Sequence, residues 1–312
     1  MSIVTPVPDT TPIWTPSSFE AFGIDLMSAF TTMPPPPDFV LPGLPMGTIG
    51  VLVSPGATGK SVLAAMSCLS VAAGADIGHI WNAEIEPGPA VYVGIEDPKD
   101  VLQGRLHHIG QSLRKDLPPE VFQRAAENAH FFAMPGEGFA IATRRNGLIV
   151  PHDSFKALEA RLMAMPVTPR ILVLDTLNRC IATGGICESD NGDMGAVVGI
   201  VEGTAKRVGC AGILLHHTSK STALNGQGDA QQAARGASAI TDNARWQANL
   251  IGMSKEEARK LLPKGDEAKR RSYVRLELTK VNYCSPPDER WLKRGEGGVL
   301  SYTPKVLGQK LP

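Results

Sequence analysis

Apolar runs of six or seven residues alternate with amphipathic stretches between residues 48 and 216. The runs predict buried strands, and the stretches between them have helical periodicity. Nearly continuous apolar strands separated by helices are typical of a parallel sheet that is covered on both faces. The predicted strands are 48–54, 89–95, 129–134, 170–175 and 211–216, and the predicted helices are 60–73, 98–113, 153–164 and 194–208. The pattern therefore predicts an α/β fold with a mainly parallel central sheet flanked by helices.

Two regions lie outside this alternation. After residue 217 a loop rich in Gly, Gln and Ser runs to about residue 237, and a loop of this length inside a compact domain is usually functional or disordered. The strand-like stretch 271-RSYVRLELTKV-281 then predicts antiparallel strands added to the sheet near the C-terminus. The expected organisation is an N-terminal segment over 1–45, a core over 46–303 and a tail over 304–312.

The N-terminal segment is rich in proline and contains no Lys or Arg before Lys60. The run Pro34–Pro37 predicts an extended spacer, because proline fits neither a helix interior nor a central strand. Between the prolines, 17-SSFEAFGIDLMSAF-30 predicts one short helix that Ser18 caps and whose phenylalanines and Leu26 share a face. That face needs a surface to pack on, either in its own domain or on a neighbouring subunit.

Bulk composition restricts the partners and the location. The formal net charge is zero, so no long-range field attracts nucleic acid, and any such partner must be held by a local patch. The five cysteines form no CxxC pair, which favours buried reduced thiols over disulfides or zinc ligands. No apolar run approaches the ~18 residues of a membrane span, and no export signal begins the sequence. We therefore expect a cytoplasmic protein with no membrane partner.

A phosphate-binding loop is predicted at 54-SPGATGKS-61, between a predicted strand and a predicted helix. In such a P-loop, successive backbone N–H groups and the helix N-terminus bind phosphates, so the sequence predicts ATP and Mg²⁺ as cofactors. Lys60 would reach the β- and γ-phosphates and Ser61 would hold Mg²⁺. Ser54 departs from the usual initial glycine, at a strand end where a small residue can suffice. The predicted nucleotide-binding residues are Ser54, Pro55, Gly56, Ala57, Thr58, Gly59, Lys60, Ser61 and Val62.

Polar residues at later strand ends complete a predicted hydrolytic site. Asp175 ends the run 171-ILVLD-175 and would hold the Mg²⁺ through water. Glu96, just past the strand that follows the P-loop helix, would take a proton from the attacking water. His216 and His217 end the run 211–217, where either side chain would touch the γ-phosphate. The plainer alternatives are a turn or cap for Asp175, a solvated acid for Glu96 and a core histidine for each His.

The order of these motifs resembles the RepA-type replicative helicases of broad-host-range plasmids, which are RecA-like P-loop ATPases. The matching segments are SPGATGKS, VYVGIEDP, ILVLDTL, GILLHHTSK, QQAARGASAITDNARW and KVNYCSPPDERWLKRGEGGVL. The resemblance covers roughly residues 28 to 303. It extends to the P-loop itself, because that family also opens this loop with Ser-Pro-Gly.

The resemblance implies a RecA-like core, a homo-hexameric ring, ATP bound between neighbours and single-stranded DNA in the central channel, with 5′→3′ unwinding. Arg245, in 242-DNARW-246, matches the arginine that reaches the neighbour's ATP in trans, and Arg235 is the second choice for that role. A surface ion pair is the plain alternative for Arg245. No primase domain or zinc module is evident, so separate primase and initiator proteins are expected as partners.

Two loops are the candidate DNA contacts, 178–193 and 217–238. Arg179, Lys220 and Arg235 are the cations expected to meet phosphates, with solvated loop charge as the alternative. Neither loop contains an aromatic residue, so base stacking should be weak and binding tolerant of sequence. The three acids of the first loop, Glu188, Asp190 and Asp193, count against tight binding.

Four functions therefore compete. A replicative helicase is preferred, and a RecA-like ATPase of recombination or regulation that does not unwind DNA is the main alternative. A P-loop kinase of a small metabolite would need an acceptor pocket and a lid. A nucleotide-dependent scaffold would not depend on Glu96 for turnover.

Overall fold

The structure is a computed structural model that describes residues 15–217, 238–264 and 266–304. These residues form two compact units, one ending at Pro37 and one beginning at Asp38. The α-helices are α1 (Leu26–Thr31), α2 (Lys60–Ala73), α3 (Lys99–Asp116), α4 (Pro119–Asn128), α5 (Asp153–Met163), α6 (Leu177–Ala182), α7 (Asn191–Val208), α8 (Ser238–Asn243) and α9 (Lys255–Leu261). The strands are β1 (Phe39–Leu41), β2 (Leu44–Pro45), β3 (Ile49–Ser54), β4 (Ala90–Gly94), β5 (Ala129–Ala133), β6 (Ala142–Arg145), β7 (Leu148–Pro151), β8 (Ile171–Asp175), β9 (Ala211–His217), β10 (Trp246–Gly252), β11 (Tyr273–Val281), β12 (Arg290–Arg294) and β13 (Leu300–Tyr302).

The main sheet of the larger unit has nine strands in the order β13-β12-β11-β10-β3-β9-β8-β4-β5. The six strands from β10 to β5 are parallel, and β11, β12 and β13 extend the sheet in antiparallel fashion. This is the predicted α/β class, with a mainly parallel centre and antiparallel strands near the C-terminus. The strand that precedes the P-loop, β3, lies centrally between β10 and β9.

Helices cover both faces of the sheet because the central strands are apolar on both sides. Along β3, Val51 and Val53 face a layer that contains α7, whereas Leu52 faces the layer that contains α2. All six residues of β3 are buried. A strand with both faces buried cannot shift its pairing without exposing apolar side chains, so the position of its C-terminal end is firmly set.

The predicted elements of the core are confirmed to within a few residues at each end. Three features of the larger unit were not predicted: α4, the separate hairpin formed by β6 and β7, and strand β10. The hairpin lies within 135–154, the stretch that the family resemblance left without a role. The predicted loop at 178–193 also differs, because Leu177–Ala182 is helical and α7 begins at Asn191.

The smaller unit corrects the prediction of one helix over 17–30. Residues Pro16–Phe22 form a 3₁₀ helix, and the α-helix starts only at Leu26. Asp25 caps that α-helix by accepting a hydrogen bond from the Met27 N–H at 3.0 Å. Gly23 and Asp25 therefore interrupt the run, since an N-cap residue has non-helical backbone angles.

Within the described residues, no helix combines the length and the apolar character that a membrane crossing requires.

Candidate functional site

The loop 54–61 has the backbone geometry of a phosphate cradle. Gly59 has φ 98°, a left-handed value that favours glycine, and it is the N-cap of α2. Ala57 also has a positive φ, 61°. Turns that mix left-handed and right-handed residues point successive N–H groups into one concavity, which is an anion-binding arrangement. Ser54 is buried, and its hydroxyl donates to the Pro55 carbonyl at 3.0 Å, so the serine fits this strand end.

Two oppositely charged groups are buried beside this loop. Lys60 is 4% exposed and Asp175, at the end of β8, is 3% exposed. Neither Lys60 Nζ nor Asp175 Oδ1 has a hydrogen-bond partner among the described residues. Burial lowers the pKa of the Lys60 ammonium to about 8, although the nearby Asp175, Glu96 and Glu188 carboxylates oppose the shift. Buried polar groups are rarely left unpaired, so these two atoms point to a ligand.

The same two atoms test whether the site suits Mg²⁺. Carboxylate and hydroxyl oxygens are ligands that Mg²⁺ accepts in nucleotide sites, usually with several waters retained. The Asp175 Oδ1 atom is the free carboxylate oxygen, and Ser61 follows Lys60 in the first turn of α2. The residues present therefore fit a nucleotide-bound magnesium ion.

Glu96 and His217 lie together at the same sheet edge. Glu96 follows β4 directly and remains exposed, and its Oε2 is 3.9 Å from His217 Nε2. Burial, with a contribution from the Lys60 charge, lowers the pKa of His217. His217 is therefore neutral near pH 7, and an imidazole in that form can donate or accept a proton.

His216 points to the opposite side of β9, because successive side chains of a strand alternate. It is buried, with Nδ1 3.2 Å from Glu188 Oε1. Glu188 also accepts a hydrogen bond from the Asn178 amide. Of the two predicted histidines, His217 is thus the one that the structure brings to Glu96, whereas His216 joins the loop before α7.

Arg245 lies at the other end of β3. Its backbone N–H donates to the Ile49 carbonyl at 3.3 Å, and the next residue, Trp246, pairs with Gly50. The P-loop begins five residues further on, which is about 17 Å along a strand. Arg245 is exposed and forms no salt bridge with a described residue, so the alternative of a surface ion pair finds no support there.

Lys280 supports the turn that presents Arg245. Its Nζ donates to the carbonyls of Thr241, at 2.8 Å, and Asp242, at 2.9 Å. Burial lowers the pKa of Lys280, and the nearby Arg245 charge contributes to the same direction. Two cations therefore lie close together at this end of the sheet.

The acids of the predicted DNA loop are engaged inside the protein. Glu188 contacts Asn178 and His216, Asp190 caps α7 by accepting from the Asp193 N–H at 2.9 Å, and Asp193 accepts from Arg144 at 2.6 Å. These contacts weaken the argument that the three acids oppose DNA. The Arg144 bond also ties the β6–β7 hairpin to this loop.

Of the predicted DNA cations, Arg179 is exposed on α6 and forms no salt bridge with a described residue. Lys220 and Arg235 lie outside the described residues, as does most of the predicted loop 217–238.

Sequence reasoning gave no role to Arg294, on β12. Its guanidinium donates to the carbonyl of Thr58 in the P-loop and, at 3.3 Å, to the carbonyl of Arg271. A cavity of about 250 Å³ opens beside this contact. Its lining residues are Ala57, Thr58, Gly252, Met253, Arg270, Arg271, Tyr273 and Arg294. Arg294 belongs to the segment KVNYCSPPDERWLKRGEGGVL, but nothing in that segment predicts contact with the P-loop.

Comparisons with known proteins agree with this geometry. A family model described as an AAA domain matches residues 15–223, about two thirds of the chain. The chain belongs to the AAA-domain family. Among solved structures, the fold is similar to one described as an isolated ATPase domain, with a TM-score of 0.53, 11% identity, and coverage of 92% of this chain and 99% of that one. It is also similar to a DnaB-like replicative helicase described with its interactions with primase, with a TM-score of 0.58, 10% identity, and coverage of 93% and 67%.

These findings confirm the coarse part of the sequence-based identification. The chain is a P-loop protein of the AAA-domain family, and it has the fold of replicative-helicase ATPase domains. At identities of 10% and 11% the structural likeness establishes the fold alone. The assignment to the RepA type of plasmid helicase stays a prediction, as do the individual site residues.

The depressed pKa of Lys60 predicts how nucleotide binding by this AAA domain depends on pH. With a pKa of about 8, the free protein loses the Lys60 proton as the pH rises past 8. Bound phosphates favour the charged ammonium, so above pH 8 binding requires proton uptake and the affinity falls. We expect about a tenfold weaker affinity for a fluorescent ATP analogue at pH 9.5 than at pH 8, because one proton is linked.

Calorimetry at pH 9 in two buffers of different ionisation enthalpy would measure the proton directly. Lys60→Met serves as the matched control, since it keeps an unbranched side chain without a titratable group. Its weaker affinity should not vary over the same pH range. An affinity of the wild-type protein that stays constant from pH 8 to 9.5 would contradict the role of Lys60 in phosphate binding.

Proposed function

We propose that this protein is an ATP-dependent, ring-forming DNA helicase that translocates on single-stranded DNA and unwinds duplex DNA. The observation that carries the proposal is the gathering of Lys60, Asp175, Glu96 and His217 at the carboxyl edge of four parallel strands, with Arg245 at the opposite end of β3. The first four form a nucleotide-hydrolysis site. The fifth is placed to complete a different one.

At the hydrolytic site, the backbone of 54–62 binds the phosphates and Lys60 neutralises their charge. Ser61 and Asp175 would hold Mg²⁺, which supplies charge neutralisation at the β- and γ-phosphates. Glu96 accepts the proton of the attacking water, and its exposed carboxylate is open to solvent for that purpose. His217, next to Glu96, contacts the γ-phosphate and responds to its loss.

The basic cavity beside the P-loop supports a nucleotide as the ligand. Arg270, Arg271 and Arg294 line it, and none of the three forms a salt bridge with a described residue. Uncompensated guanidinium groups attract anions and stack on flat aromatic surfaces. A nucleotide with its phosphates in the P-loop would extend its ribose and base toward this cavity.

Assembly follows from the position of Arg245. The site of the same chain lies about 17 Å away along β3, so this arginine acts on the ATP of a neighbouring subunit. A homo-oligomer is therefore required for turnover, and the resemblance to RepA-type helicases favours a hexamer. Hydrolysis then depends on ring formation, because the charge of the transition state is stabilised only in the assembled ring.

DNA binding is assigned to the region after β8. Arg179 is exposed there, and the nearby acids are engaged in internal contacts. Glu188 links this region to His216 and thereby to the sheet edge that carries the ATP site. The family resemblance favours 5′→3′ translocation in plasmid replication, with primase and initiator supplied by other proteins.

Displacement of one strand from a forked duplex tests the proposal. The wild-type protein is expected to separate the strands with ATP and Mg²⁺, to prefer the fork with a 5′ single-stranded tail, and to sediment as a hexamer. Glu96→Gln should bind the fork without displacing a strand. DNA-stimulated hydrolysis without displacement would favour the non-unwinding ATPase of recombination or regulation, and a monomer that hydrolyses ATP at full rate would exclude the in-trans site.

A further inference from the structure

A tyrosine behind the ATP site holds one oxygen of the Asp175 carboxylate. Tyr92 lies on β4, next to β8, and is 1% exposed. Its hydroxyl donates a hydrogen bond to Asp175 Oδ2. The ring stacks on Phe131 with 5.2 Å between the centroids. A Cβ atom at Gly94 would lie 3.2 Å from the Tyr92 ring, so the glycine leaves the ring its space.

This bond decides which Asp175 oxygen faces the nucleotide. Among the described residues, the Tyr92 hydroxyl is the one hydrogen-bond donor to the Asp175 carboxylate, and Oδ1 has no partner. The Asp175 backbone is fixed separately, because its carbonyl accepts from the Ile95 N–H at 2.7 Å. The remaining freedom of Asp175 is rotation of its side chain, and the Tyr92 hydroxyl removes it.

We propose that Tyr92 is a positioning residue, whose hydroxyl holds Asp175 Oδ2 so that Oδ1 is presented to the hydrated Mg²⁺ of the bound nucleotide. The inference rests on the proposed function as far as ATP and Mg²⁺ are concerned, but not on DNA or unwinding. Without the hydroxyl, Asp175 is free to rotate toward the Lys60 ammonium and pair with it. Groups that orient a metal-binding carboxylate in this way strongly affect metal affinity.

The test compares Tyr92→Phe with the wild-type protein in binding methylanthraniloyl-ADP, with Mg²⁺ and with EDTA. The substitution removes one oxygen and keeps the ring that packs on Phe131. We expect the gain in affinity that Mg²⁺ gives to fall about tenfold or more, the usual effect of losing such an orienting group. Affinity in EDTA should stay within about twofold, because the phosphate contacts of Lys60 and the P-loop are intact.

Tyr302→Phe is the matched control, since it removes a hydroxyl from a tyrosine on β13 that packs on Arg290 instead. It should leave both affinities unchanged. Equal weakening with Mg²⁺ and with EDTA would overturn the proposal, since a purely structural defect has that effect. An unchanged Mg²⁺ gain in Tyr92→Phe would overturn it while leaving the ATPase intact, whereas a wild-type protein without any Mg²⁺ gain would overturn the ATP site as well.

A double-substitution cycle tests the pairing independently of any change in stability. If Tyr92 acts through Asp175, the Tyr92→Phe change should have little further effect on the Mg²⁺ gain in an Asp175→Asn background. Additive losses would mean that the two residues act separately and would overturn the proposal. Thermal unfolding of each variant shows which of them are folded at the assay temperature.

Discussion

Replacing Glu96 with glutamine is expected to lower ATP hydrolysis at least about a hundredfold, the usual contribution of a general base. Glutamine has nearly the same shape but cannot accept a proton from water. Because Glu96 is exposed beyond the end of β4, the change should leave the buried core and nucleotide binding intact. Phosphate release measures the first effect, and titration with a fluorescent ATP analogue measures the second.

Asp100→Asn is the matched control for Glu96→Gln. Asp100 is an exposed acid in the first turn of α3, four residues away, and it loses its charge in the same way. Its turnover should remain within about twofold of the wild-type value, as is usual for surface changes that touch no other group. Normal turnover in Glu96→Gln would instead favour the nucleotide-dependent scaffold, which does not use this carboxylate.

The candidate site could be predicted from the sequence mainly because the sheet is parallel. Parallel strands have all their carboxyl ends at one edge, so residues that follow different apolar runs come together without any knowledge of their contacts. Glu96, Asp175 and His217 come from three such runs, and the P-loop follows a fourth. Strand order was not needed for the prediction, although it places β9 between β3 and β8.

The choice between the two histidines needed the structure. Adjacent residues of a strand point to opposite faces, and which of them meets Glu96 depends on the orientation of β9 in the sheet. The roles of Arg294 and Glu188 were missed for a similar reason. Each makes its contact across a long sequence separation, from Arg294 to Thr58 and from Glu188 to His216, and no local pattern encodes such contacts.

Local signals were also misjudged in two places. The apolar spacing of 17–30 outweighed Gly23 and Asp25, although a residue that caps a helix normally interrupts a longer one. The helix α4 was overlooked, although Pro119 at its first turn is a common start signal. In both cases turn and cap chemistry was more informative than the spacing of apolar residues.

The second large effect is expected for Arg245→Ala. If this arginine stabilises the transition state at a neighbour's site, its loss should lower hydrolysis by about a thousandfold while ATP still binds. The side chain is exposed and forms no salt bridge with a described residue, so its removal should cost little stability. Arg259→Ala, which removes another exposed arginine from α9, is the control and should retain normal turnover.

Mixing two inactive variants distinguishes action in trans from action within one chain. Lys60→Ala has a defective P-loop but keeps Arg245, and Arg245→Ala has an intact P-loop but offers no arginine to its neighbour. In a mixed ring, a Lys60→Ala subunit donates its Arg245 to the intact P-loop of an adjacent Arg245→Ala subunit. Hydrolysis by the mixture should therefore exceed the sum of the two variants alone. If Arg245 served the ATP of its own chain, no mixed neighbour could restore a complete site, and the mixture would remain as inactive as its components.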